Sequence, residues 1–201
     1  MHRSLSLAVV AGLVGTGVAL AAPSALQLRE RLLKQGEFAG YRVESATQSY
    51  KTAAAWVSAG PHVPTVQRSA DIARLRREGF AALLSEFLDR GSERQSGLSW
   101  VMQLGSAAAA RAELKVDLAE YKSETTMGGG AYSAFPIPDV PGARGYRVSG
   151  GGSVGENILF ADGPFLYLVG QGFSSADKSP PARAGLIAAV TTLYRRVHGH
   201  A

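Results

Sequence analysis

Apolar residues along the chain alternate in some stretches and recur at helical spacing in others. The most informative stretch covers residues 156–170, ENILFADGPFLYLVG. Two apolar runs flank Asp162-Gly163, a pair suited to the positive φ angles of a two-residue turn, so the stretch predicts a β-hairpin. Phe165, Tyr167 and Val169 fall on one face of its second strand, and Leu166 and Leu168 on the other. Pro164 stands at the first position of that strand, where a missing N–H costs least. Apolar residues on both faces place this hairpin near the middle of a covered sheet.

The same patterns order the rest. Over residues 24–35, Leu26, Leu28, Leu32 and Leu33 line one side of a short amphipathic helix that Ser24 can cap and Gly36 ends. Residues 38–43 read as a turn leading into a short strand, and residues 52–58 as a helical turn or two with Trp56 toward the core. Prolines make residues 60–64 a loop. A helix capped by Ser69, with Asp71 in its first turn, points Ile72 and Leu75 inward and Arg74, Arg76 and Arg77 to water. At Gly79 that helix either continues through residues 80–88 or ends before a strand; the run is apolar on both faces, which favours the strand, although its composition suits a helix equally. A polar turn over 91–97 precedes a strand over 98–104 containing Trp100.

Ser106 then caps a long helix to about Lys122, with Ala107, Ala110, Leu114, Leu118 and Tyr121 on its inner face. Residues 123–130 read as a flexible loop, 135–142 as an extended proline-rich segment, and 146–148 as a short strand before the Gly150-Gly151-Gly152 turn. A last helix, capped by Ser179, turns Leu186, Val190, Leu193 and Val197 inward and carries Arg195, Arg196 and His198 in its final turn. This order predicts an α+β fold: an antiparallel sheet of about five strands packed against helices on one face, with an N-terminal helical segment.

Residues 1–21 change the picture of location. Arg3, the apolar run from Leu5 to Leu20 and the Ala19-Leu20-Ala21 signature describe a secretory signal peptide cut after Ala21, leaving residues 22–201 as a single α+β domain. The run is only just long enough to span a bilayer and its glycines weaken it as a helix, so no stable membrane insertion is expected after cleavage. The expected location is the extracytoplasmic cell envelope or the medium. The chain has no cysteine, which excludes disulfides, thiolate metal sites, a cysteine nucleophile and a cysteine-linked lipid anchor. The formal charge is +5, but the basic residues are scattered except at Arg74, Arg76 and Arg77, so nucleic acid is not an expected partner.

Chemistry-bearing motifs are few. Gly150-x-Gly152-x-x-Gly155 has the letters of a dinucleotide fingerprint, but a strand follows it where a phosphate-binding helix is needed. Ser175-x-x-Lys178 has the letters of a serine–lysine nucleophile, but Pro180-Pro181 follow at once and the companion motifs are absent. His62, His198 and His200 have no carboxylate at ligand spacing, so no metal is expected. Glu156 and Asp162 flank the first hairpin strand, where turn chemistry and solvation explain them without an acid/base pair. No catalytic residue and no cofactor is assigned. If the domain takes a small apolar ligand, Trp56, Trp100, Phe165 and Tyr167 are its candidate contacts, with the glycines at 128–130 and 150–152 as a flexible rim.

Three segments carry a resemblance: Ala73-Arg74-Leu75-Arg76-Arg77-Glu78-Gly79-Phe80 with Leu98-Ser99-Trp100-Val101-Met102-Gln103, then Ala110-Arg111-Ala112-Glu113-Leu114, then residues 157–170. Together they resemble small exported proteins of actinobacteria and their relatives. More loosely, the layout is similar to the extracellular sensor domains of mycobacterial-type Ser/Thr kinases and to exported α/β/α sandwiches of the photosystem-subunit type. Those kinase domains carry disulfides, which this chain lacks. The resemblance implies a non-catalytic binding or sensing module whose partner is a small apolar ligand or an envelope protein. The alternative is an exported hydrolase whose site is assembled from residues distant in sequence.

Overall fold

The computed structural model describes residues 25–59, 65–92 and 95–198. The expected signal segment, the loop at 60–64 with His62, and His200 lie outside the described residues. In chain order the elements are α1 (Ala25–Arg29), β1 (Arg42–Tyr50), α2 (Ala53–Ala59), α3 (Thr65–Arg77), β2 (Ala82–Ser92), β3 (Gln95–Gln103), α4 (Ala107–Met127), β4 (Ala131–Phe135), β5 (Arg144–Gly150), β6 (Ser153–Asp162), β7 (Phe165–Ser174) and α5 (Arg183–His198). The fold is α+β, as expected.

Among the described residues the strands form one antiparallel sheet of seven, in the order β1-β2-β3-β7-β6-β5-β4. The sheet departs from the expected five strands at its edges: β1 extends to Tyr50 the short strand expected after the turn at residues 38–43, and β4 is unexpected. β1 (RVESATQSY) is polar and β4 (AYSAF) is short, so neither carries the apolar signature of a covered strand. The hairpin of β6 and β7 sits at the centre, as its two apolar faces required. Its turn falls one residue later than expected: Asp162 pairs with Phe165, so Gly163 and Pro164 are the turn residues. Gly163 has φ +55° and Pro164 a negative φ, the pattern of a type II′ turn with glycine first.

Helices cover both faces of this sheet, not one. Tyr167, Val169, Ile158, Phe160 and Val101 pack with α1 and α5, whereas Leu166, Leu168, Leu159 and Trp100 pack with α2, α3 and α4. The strand pattern forces this outcome, because β3, β6 and β7 are apolar on both sides and each side needs a cover. α4 connects β3 to β4 at the far edge, which carries it across one face.

Helix boundaries differ from expectation for local reasons. α3 begins at Thr65, so Ser69 lies inside it. The Ser106 cap on α4 is present, its hydroxyl accepting from Ala109 N at 3.1 Å. α4 runs on through the residues expected as a loop, with the Thr125 and Thr126 hydroxyls donating to the carbonyls of Tyr121 and Lys122. α5 starts at Arg183 and not at Ser179, since Ser179 and Pro180 each precede a proline and are pushed out of helical geometry.

The Gly79 stop is built as the sequence suggests, with φ +74°. A methyl group there would stand 2.8 Å from the Cα of Gly105, so the end of α3 and the end of β3 meet backbone to backbone. Gly79→Ala therefore adds left-handed strain to a clash with no side chain to move aside. It should destabilise the protein by roughly 2–4 kcal/mol. Urea unfolding of the two proteins measures this, and a loss below about 1 kcal/mol would show that the junction relaxes freely.

Candidate functional site

The sheet face under α1 and α5 carries buried polar residues in two rows. One row crosses Thr47 (β1), Glu86 (β2) and Ser99 (β3). The second crosses Leu88 (β2), Gly97 (β3), Gln171 (β7), Glu156 (β6) and Arg147 (β5), with Tyr41 packed above Gly97. Four atoms in these rows are buried without a hydrogen-bond partner among the described residues: Glu86 Oε1, Ser99 Oγ, Tyr41 OH and Gln171 Oε1. Buried polar groups are normally satisfied, so their concentration on one face marks the place where chemistry is incomplete.

Glu86 is the sharpest case. It is 4% exposed and has no ion-pair partner among the described residues. Burial pushes its carboxyl up to about 7, against the pull of Arg29 and Arg196, with Glu37 adding a like charge. It floors a groove of about 450 Å³ between the α1 segment and β1, walled by Arg29, Leu33, Lys34, Gln35, Val43 and Thr47. The groove exists because β1 lifts off its neighbour. Val43 pairs with Leu88 and Thr47 with Glu86, which leaves three residues of β1 opposite one of β2. A bulge at an edge strand opens the ladder above Glu86 in this way.

The wall opposite β1 is held by Arg196 of α5. Its Nε and Nη2 donate to the two oxygens of Glu37 at 2.8 and 2.9 Å, Nη2 also to Leu32 O at 2.6 Å, and Nη1 to Glu30 O. Arg31 adds a second tie, donating to Tyr167 OH at 2.8 Å with its guanidinium 3.8 Å above the Phe165 ring.

The four aromatic residues singled out from sequence do not meet in one place. Trp56 of α2 and Trp100 of β3, 6.4 Å apart, lie on the face covered by α2, α3 and α4, whereas Phe165 and Tyr167, also 6.4 Å apart, lie on the α1 and α5 face. Trp100 pairs with Leu168 and Val101 with Tyr167, and adjacent residues of a strand point to opposite faces. A single ligand therefore reaches one pair at most. The two glycine segments do come together, through pairing of Ala131 with Ser149. They form a close backbone contact more than a flexible rim: a methyl group on Gly130 would be 2.7 Å from Ser149 O.

Three further charged groups depart from expectation. Glu156 is not solvated at a turn. It is 2% exposed and accepts from Arg183 Nη2 at 2.7 Å, Arg147 Nη1 at 3.2 Å and Gln171 Nε2 at 2.9 Å. Asp162 lies six positions along β6, roughly 20 Å away at strand rise, and bonds His198 Nδ1 at 2.9 Å. Arg74 does not face water; it joins Asp71 and the buried Glu113 across the seam of α3 and α4. Burial and the Glu120 charge raise Asp117 beside it, with Arg74 opposing. This cluster is a structural ion network, and among the described residues no group of three or more His, Asp or Glu side chains could hold a metal ion.

Comparison with known proteins adds the fold's relations. No protein-family model matches the chain, and no curated protein does. Among solved structures, the extracellular domain of PknH from Mycobacterium tuberculosis is similar, with a TM-score of 0.51 at 12% identity, covering 87% of this chain and 98% of that chain. At this identity the likeness is one of fold. Among the described residues no helix is long and apolar enough to cross a membrane.

The environment of Glu86 makes stability depend on pH with a definite sign. Its folded value of about 7 lies above the ordinary 4.5, so the folded state binds the proton more tightly. The stability this contributes is complete below about pH 4.5 and is lost as pH rises through about 7, by roughly 3 kcal/mol. Urea unfolding across that range should show this loss in the unmodified protein and not in Glu86→Gln. Equal pH slopes for the two proteins would contradict the assignment.

Proposed function

We propose that the chain is an exported, non-catalytic binding or sensing module of the cell envelope, with residues 1–21 removed as a signal peptide and residues 22–201 acting as one domain. Its ligand is a small, largely apolar molecule with one hydrogen-bonding group, seated in the groove above Glu86. The observation that supports this reading is a carboxyl 4% exposed and unpaired among the described residues, at the floor of a groove of about 450 Å³. An isolated ionised carboxylate in such a place costs several kcal/mol, so a neutral carboxyl or a bound donor is its comfortable state. Leu33 and Val43 supply apolar walls, and Ser99 stands beside Glu86 on the neighbouring strand. The likeness in fold to an extracellular domain agrees with an extracytoplasmic setting.

A hydrolase finds less support. The His198–Asp162 pair has the spacing of a catalytic dyad, but no hydroxyl bonds to the imidazole among the described residues. Tyr194 stacks on the ring at 4.9 Å instead.

Native mass spectrometry of the protein purified from its own host tests the reading. The unmodified protein should retain a small molecule of defined mass, and Thr47→Trp, which fills the groove from its wall, should lose it. A bare chain in both cases would overturn the proposal.

A further inference from the structure

A second hollow lies on the same sheet face, on its β5, β6 and β7 side. Its volume is about 370 Å³, and it is bounded by Arg147 of β5, Val154 and Glu156 of β6, Phe173 of β7, and Pro181 and Arg183 at the start of α5. It shares no lining residue with the groove above Glu86.

Two guanidinium groups converge there on one carboxylate oxygen. Glu156 Oε1 accepts from Arg183 Nη2 at 2.7 Å, Arg183 Nε at 3.1 Å and Arg147 Nη1 at 3.2 Å. The other oxygen, Oε2, accepts from Gln171 Nε2 at 2.9 Å. Strand pairing sets Arg147, Glu156 and Gln171 side by side in one row, so the three side chains leave the sheet on the same face. Two guanidinium charges against one carboxylate leave the trio with a surplus of +1. Asp177, the other acid on the lining, forms no ion pair with either arginine. Its oxygens accept from Ser179 N and Gln95 Nε2.

The surplus charge is held in place by aromatic rings. Phe135 pairs with Gly145, and its ring occupies the space that a side chain on that glycine would fill. So placed, the ring centre stands 4.3 Å from the Arg183 guanidinium. The Arg147 guanidinium stands 5.8 Å from the centre of the Phe173 ring. Both arginine side chains nonetheless remain 39% exposed. Arg147 Nε and Nη2 and Arg183 Nη1 donate to no acceptor among the described residues. The donors left over therefore belong to two guanidinium groups that Glu156 already holds together.

We propose that this hollow binds the carboxylate of a small molecule, between the unused N–H groups of Arg147 and Arg183, with an apolar body along Val154, Phe173 and Pro181. One negative charge matches the surplus, and guanidinium forks suit the paired oxygens of a carboxylate. α5 opens at Arg183 with no acidic residue in its first turn, so the positive end of the helix dipole adds to the attraction. The site does not rest on the reading of the Glu86 groove.

The test is titration of the purified protein with benzoate at constant ionic strength, followed by amide chemical shifts. Saturable shifts should concentrate at Val154, Phe173, Ser174, Ser175 and Arg183. Arg147→Gln should weaken binding roughly tenfold. It leaves Glu156 with Arg183 and Gln171, one guanidinium to one carboxylate, so the variant should fold as the unmodified protein does. Arg147→Lys keeps the charge without the fork and should weaken binding too. Acetate should bind less tightly than benzoate, and equal affinities would overturn the apolar contact. Inorganic phosphate should bind less tightly than benzoate, and a preference for phosphate would overturn the carboxylate assignment. Arg111→Gln, at an exposed position on α4, should leave affinity unchanged; a loss equal to that of Arg147→Gln would mark diffuse attraction and overturn the site. Shifts in the unmodified protein that do not saturate, or that scatter over the surface, overturn the proposal whatever the variants do.

Discussion

Arg196 stands in the last turn of α5 and reaches back to a segment near the other end of the chain. Its guanidinium makes two bonds to Glu37 and further bonds to the carbonyls of Leu32 and Glu30. Only a planar fork of donors can satisfy so many acceptors from one side chain. The pair is largely shielded, with side-chain exposures of 20% and 15%. Burial alone would push the Glu37 carboxyl up, but the bonds from Arg196 and from Lys34 N hold it below its ordinary value. Removing the arginine would strand a largely shielded carboxylate and two loop carbonyls, a loss of roughly 2–3 kcal/mol concentrated on one segment.

That segment makes the groove over Glu86. Residues 29–35 supply one of its walls. α1 is too short to be stable on its own, with five residues, so its position comes from burial of Leu28, Leu32 and Leu33 and from the ties to α5 and β7. The sheet supplies the opposite wall and cannot move much, since its central strands are buried on both faces. The groove is therefore a gap between a rigid floor and a wall fixed at a few points, the usual setting for a ligand that orders what it binds.

Much of the frame was legible along the chain, and the reasons are physical. Residues 157–169 had to be a central hairpin because they are apolar on both faces, whereas Gly79 left two readings open, since residues 80–88 suit a continued helix by composition as well as they suit a buried strand. The edge strand β4 was hidden and only the start of β1 was legible, since an edge strand buries too little to need an apolar pattern. Covering of the second face was implied by the same two-sided strands, yet which helix covered which face depended on α4 crossing the sheet.

The site was less legible, because its residues meet only through the ladder. Glu86 did carry a signal: it is one carboxylate inside ALLSEFL, a run otherwise suited to burial, and a lone charge there asks for an explanation. Glu156 carried the same signal in the hairpin and proved to have its answer in Arg147 and Arg183. Nothing in the spacing linked Arg196 to Glu37, 159 positions away. The basic last turn of α5 had an adequate local account in the helix dipole, which concealed the tertiary one.

Native-state hydrogen exchange in Arg196→Lys addresses the central claim most directly, because lysine keeps the charge and loses the fork. The amides of Glu37, Tyr41 and Val43 each donate within the segment and report on its order. They should exchange at least tenfold faster in the variant, while Leu168 and Val169 in β7 keep their protection. Unchanged exchange in the segment, or an equal acceleration in β7, would contradict the view that this one guanidinium holds the wall of the site.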